Sequence, residues 1–213
     1  MNTDYISISS DLKGKEDALA TAEKFITYNA VSGKDAIHVR LLTEEMLSLV
    51  NGIMDGFNAK LRLESEPSKQ GVLCRIRLSA RKSVSEKQEN RLMSVSSSGK
   101  NEAAKGVLGK IREMFRLSAQ HSADGVYAPG SVPMLDSWYS LGMHHDELSY
   151  MNEYAMGCWS LNNYRRNIET QKSSMQEEWD ELEKSIINRL ADDVKIYLKN
   201  DSTEIVIEKT LKP

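Results

Sequence analysis

The chain has 213 residues, 40% of them apolar and 28% charged, with a formal net charge of −3. That balance argues against disorder and leaves no basic footprint for nucleic acid or an anionic membrane. With no apolar run near the roughly 18 residues that span a bilayer, no apolar signal core in Met1 to Lys15, and only Cys74 and Cys158 as cysteines, the expectation is a cytoplasmic protein without a disulfide framework.

The predicted elements begin with a short edge strand, where Ile6 and Ile8 alternate with serines. A helix follows from Asp11, read as its cap, to Ala30, with Leu19, Ala22, Phe25 and Ile26 on one face. Gly33 interrupts the chain. Asp35 opens a second helix to about Phe57, striped by Val39, Leu42, Met46, Leu49, Ile53 and Phe57. A β-hairpin is expected next. Leu61 and Leu63 alternate with charged residues, Pro67 to Gly71 turns the chain, and Cys74, Ile76, Leu78 and Ala80 share one face. Cys74 on that face reads as a buried small apolar residue.

Ser83 to Lys105 is polar and serine-rich and reads as a connection. Glu102 to Leu117 and Glu147 to Lys195 are rich in helix formers. Trp179, Leu182, Ile186 and Leu190 mark one helical face near the end of the second segment. A last hairpin pairs Val194, Ile196 and Leu198 with Ile205 and Ile207. The expected fold class is therefore α+β: a mostly antiparallel sheet with helices on one face, in a single domain. Its core is residues 1–82 and 184–213, with a largely helical insertion at about 83–183.

Two stretches carry a resemblance. Val39-Arg-Leu-Leu-Thr-Glu-Glu-Met-Leu-Ser-Leu-Val-Asn-Gly-Ile-Met-Asp-Gly56 and Ser185-Ile-Ile-Asn-Arg-Leu-Ala-Asp-Asp-Val-Lys-Ile196, in this order of elements, resemble the GHKL (Bergerat-fold) ATPase superfamily, most of all its anti-sigma-factor serine kinases. The resemblance covers about residues 5–81 and 184–210. It implies a helix glutamate that activates a hydroxyl or water, and an asparagine four residues later that holds magnesium. Matching Asn51 to that asparagine puts Leu47 at the glutamate; matching Glu45 to the glutamate puts Leu49 at the asparagine. The adenine-binding aspartate expected after the hairpin is replaced by Ala80-Arg-Lys-Ser83, and the glycine box before the last helix by Glu183-Lys-Ser185.

Glu44, Ser48, Asn51 and Asp55 fall at i, i+4, i+7 and i+11 and so share a helix face. With Glu45, and with Gly106 and Gly109 as the one substitute for a phosphate loop, they read as a remnant nucleotide site; the reading preferred over it makes the four the wet side of an amphipathic helix, and the glycines a loosened or bent helix. His144-His145-Asp146-Glu147 has ligand residue types but no second cluster, so no metal is expected. Arg165-Arg166 reads as a wet face. The aromatics Tyr150, Tyr154, Trp159, Tyr164 and Trp179 read as core or interface. The leading expectation is a non-catalytic regulatory module in bacterial signalling or transcription control, with a protein partner, no cofactor, no nucleic acid and no membrane. Homo-oligomerisation stays open. The alternatives are an active serine kinase of the anti-sigma type using Mg-ATP, and an unrelated α+β interaction protein.

Overall fold

The computed structural model describes residues 1–11, 13–53, 57–81, 155–170, 185–199 and 202–212. In chain order these form β1 (Ile6–Ser9), α1 (Lys15–Tyr28), α2 (Gly33–Ile53), β2 (Asn58–Ser68), β3 (Gly71–Arg81), β4 (Ala155–Ser160), α3 (Leu161–Thr170), α4 (Ile186–Leu190), β5 (Asp193–Lys199) and β6 (Ser202–Leu211). The strands make one antiparallel sheet in the order β1-β2-β3-β6-β5-β4. Both predicted hairpins lie in it side by side, because β3 pairs with β6.

The period-2 pattern sets the faces of the sheet. Leu61 and Leu63 of β2, Cys74, Ile76 and Leu78 of β3, Ile205 and Ile207 of β6 and Ile196 of β5 are buried and belong to one core. The helices cover this face. Ala18, Ala22, Phe25 and Ile26 of α1 and Val39, Leu42, Met46 and Leu49 of α2 join the same core, with Leu161, Tyr164 and Ile168 of α3. A hairpin alone cannot bury its apolar face, and neither can a single amphipathic helix, so the two solve each other's problem. Burial in this core pushes the Cys74 thiol up to about 12, which makes it inert at neutral pH. No helix among the described residues is long and apolar enough to cross a membrane.

Several expectations need correction. Asp11 does not cap α1. It accepts from the Lys13 N–H at 3.3 Å and from the Ser9 hydroxyl, holding a tight turn. Gly14 takes the N-cap position with φ 86, in the left-handed region that favours glycine. The turn folds back on β1: the Ser9 N–H donates to the Lys13 carbonyl at 3.2 Å, and a Cβ on Gly14 would lie 2.1 Å from the Ser7 oxygen. At its other end α1 closes with a Schellman pair, Val31 N–H to Ile26 O at 3.0 Å and Ala30 N–H to Thr27 O at 3.2 Å, with Ala30 at φ 52. Phe57 is not part of the second helix, whose described residues run to Ile53. Phe57 is buried beside the start of β2, where its carbonyl accepts from the Ser10 N–H.

The segment expected to be a helical insertion contains β4, which adds to the β5 edge of the main sheet. Edge pairing with β5 outweighs the helix propensity of the surrounding composition. The rest of residues 83–183, apart from 155–170, lies outside the described residues. In α4 the phase is shifted by one. Ser185 is the N-cap, Ile187 is buried and Ile186 is 47% exposed, so Ile186 does not belong to the buried stripe. Trp179 and Leu182 lie outside the described residues.

Candidate functional site

The predicted site residues begin on α2. Glu44 is partly exposed, with Arg40 Nε at 3.6 Å, and Arg40 also reaches Glu23 at 2.8 Å. Glu45 is half-buried, while Ser48 and Asn51 are exposed. Leu47, one turn before Asn51, is 2% exposed and belongs to the core. The helix thus turns Ser48 and Asn51 outward and sinks Leu47, as 100° per residue requires. Asp55, Gly106 and Gly109 lie outside the described residues, as do His144, His145, Asp146 and Glu147. Among the described residues no group of three or more His, Cys, Asp or Glu could hold a metal ion.

Only four residues separate Ile53 from Asn58. The five Cα–Cα steps from Ile53 to Asn58 reach about 18 Å at most, so the last turn of α2 stands near the end of the sheet where β2 begins. On the core face of that end, Ala59, Ala80 and Thr203 occupy neighbouring positions on β2, β3 and β6. All three are buried. The row holds no carboxylate, and its one polar group is the Thr203 hydroxyl, which is buried without a hydrogen-bond partner. A desolvated hydroxyl left unpaired costs about 1–3 kcal/mol, which makes Thr203 the conspicuous polar group of this region.

A second cluster joins α3, α4 and β5. Ser160 precedes α3, and its hydroxyl donates to the Asp193 carboxylate at 3.1 Å. That carboxylate also accepts from the N–H groups of Asn162 at 3.0 Å and Val194 at 2.8 Å. It therefore caps the N-terminus of α3 from another element. Burial pushes the Asp193 carboxyl up, and these donors only partly oppose the effect. Arg165 corrects the reading of a wet face. It donates to the Asn162 side chain and the Asp192 carbonyl, both at 3.0 Å, and to the Asn188 side chain and backbone. Burial lowers its basicity, opposed by Asp193 and Asp192. Arg166 stays exposed. Donors and acceptors in this cluster satisfy one another, so its chemistry is that of a latch holding α3 and the α4–β5 junction together.

Sequence reasoning missed Thr203, Ser160, Asp193 and Arg165 as interacting groups. A signal existed for Ser160 alone: a serine directly before Leu161, Tyr164 and Ile168 is a helix start. The partners Asp193 and Asn188 lie 33 and 23 residues away, and no local pattern links them. Comparison of the chain with family models, with curated proteins and with solved structures finds no match.

Proposed function

We propose that this chain is a regulatory protein-binding module, a degenerate relative of the anti-sigma-factor kinases, acting without ATP in a bacterial cytoplasm. The observation that carries the reading is what two buried positions hold. A buried leucine precedes Asn51 by one turn, and a buried alanine ends the core face of β3. The resembled family uses carboxylates at both places. Without the acceptor the adenine amino group loses its partner, at about 1–3 kcal/mol. Magnesium keeps at most Asn51 and Asp55, and one or two protein ligands hold it only together with substrate phosphates.

One observation favours the second reading, an ATP-binding serine kinase of the anti-sigma type. The unpartnered Thr203 hydroxyl lies beside Ala80 and could serve a planar heterocycle. Calorimetry with Mg-ATP separates the two. The expected outcome is no saturation at low micromolar concentration, and a Thr203→Val variant that folds as well as the parent. A low-micromolar dissociation constant weakened by both Asn51→Ala and Thr203→Val would overturn the degenerate reading in favour of the kinase.

A further inference from the structure

The face of the sheet turned away from the helices carries rows of charge. Across β2, β3, β6 and β5 the side chains of Arg62, Glu64, Glu66, Arg75, Arg77, Glu204, Glu208 and Lys195 interleave. Their cations are paired. Arg62 contacts Glu64, Arg77 bridges Glu64 at 3.2 Å and Glu204, Arg75 bridges Glu66 at 2.7 Å and Glu208 at 3.1 Å, and Lys195 holds Glu208 at 3.0 Å. Two cations on the same face break this rule. Lys60 and Arg81 are exposed and have no carboxylate partner among the described residues.

Both sit at one corner. Lys60 lies opposite Ser7 and Ser79, and Arg81 opposite Asn58 and Ser202. Tyr5, 55% exposed, lays its ring against this corner, 5.9 Å from the Lys60 ammonium and 4.8 Å from the Arg62 guanidinium. Its outward position follows from the strand register. Thr3 pairs with Leu63 and Ile6 with Leu61, so the N-terminal strand carries one residue more than β2 between the two pairs. The flanking acid is Asp4, exposed next to Tyr5 in the chain.

We propose that the corner formed by Tyr5, Lys60, Arg62 and Arg81 is the docking surface for an extended acidic segment of a partner protein. The proposal deepens the reading of a protein-binding module and rests on it. Lys60 and Arg62 are two residues apart on one strand, about 7 Å, and Lys60 and Arg81 are diagonal neighbours, about 7–8 Å apart. An extended segment with an acid at every second position presents carboxylates at that same spacing. Tyr5 supplies the amphipathic anchor that interfaces favour, and Ser7 and Ser79, both exposed, supply hydroxyl donors beside Lys60.

The charge of the chain selects a short segment over a broad anionic surface. The net charge is −3, and the same face carries Glu66 and Glu208 on its far side. A membrane or a long nucleic acid lies across the whole face and would meet these acids, Glu66 standing about 13 Å along β2 from Arg62, as well as the corner. A segment a few residues long would not.

The test is fluorescence anisotropy with the full chain and a labelled octapeptide alternating glutamate and serine, beside a control peptide with glutamine in place of glutamate. The expected result is saturable binding of the acidic peptide only, weakened by salt. It should be lowered about tenfold or more by Lys60→Glu with Arg81→Glu, lowered less by the glutamine pair, and unchanged by Lys24→Gln with Lys34→Gln on the helices. The glutamine pair removes charge with little change of shape, so a folding defect in the reversal variant leaves the test intact. No saturable binding, or binding insensitive to both pairs, overturns the assignment. So does tighter, equally sensitive binding to phosphatidylserine vesicles or to a single-stranded oligonucleotide. The Mg-ATP titration is a separate readout. Its success would remove the non-nucleotide reading whatever the peptide does, and peptide failure would remove the corner alone.

Discussion

Two residues around α1 show opposite uses of positive φ. Gly14 needs it, and also needs the space that a Cβ would take from the Ser7 carbonyl. Ala30 adopts φ 52 with a side chain in place, because the Schellman pair at the end of α1 requires that conformation. For an L-residue the left-handed region costs about 1–2 kcal/mol. Gly14→Ala should therefore destabilise by more than ~2 kcal/mol, since backbone strain adds to a backbone clash. Ala30→Gly should stabilise by roughly 0.5–1 kcal/mol, the relief being partly offset by glycine's unfolded-state entropy. Urea unfolding of the two variants checks both signs. An unaffected Gly14→Ala protein would show that the turn between Ser9 and Gly14 does not pack on β1.

At the scale of elements, the latch between α3 and β5 holds adjacent aspartates with opposite titration. Burial raises the Asp193 carboxyl above its ordinary 3.8, so its folded form binds a proton more readily than the unfolded chain. The stability linked to this group is fully present below that ordinary value and is lost as pH rises through the raised one. Burial also acts on Asp192, but the Thr210 N–H at 2.6 Å and the Lys209 ammonium outweigh it, and its carboxyl is held below 3.8. Its contribution is present above the ordinary value and is lost as pH falls through the lowered one. Comparing each asparagine variant with the parent across the acid range should give slopes of opposite sign. Asp192→Asn should lose most at neutral pH. The deficit of Asp193→Asn should shrink, or reverse, as pH rises. Parallel slopes would mean that the two carboxylates share one environment.

For the whole molecule, the sheet divides the chemistry. One face meets the helices and is apolar, and among the described residues the other carries paired charges except at one corner. Arg77 is the hinge of the Glu64–Arg77–Glu204 set, in which all three side chains are less than a third exposed. Arg77→Ala removes the cation on which the Glu64 and Glu204 side chains converge from either side of β3, leaving Glu64 with Arg62. It should cost about 1–3 kcal/mol, between an exposed pair and a buried one, with the loss changing in salt as carboxylate repulsion is screened. Thermal melts at low and high salt measure it, and a neutral substitution would show that water solvates these carboxylates adequately.

The sequence by itself determined the α+β class, both hairpins and the faces of their strands, the stripe of α2 and the burial of Cys74. These are local properties: periods of 2 and 3.6 residues are written in adjacent positions, and burial of an amphipathic face is the dominant favourable term. Only the tertiary structure decided the rest. β4 was hidden in a helix-rich composition, and it is held by an edge it meets through pairing with β5. The latch from Ser160 to Asp193 and the bridge from Arg77 to Glu204 join residues 33 and 127 positions apart. Lys60 and Arg81 stand out only because the register of three strands pairs every other cation around them. Long-range pairings depend on which strands lie side by side, and no short-range pattern in the chain carries that information.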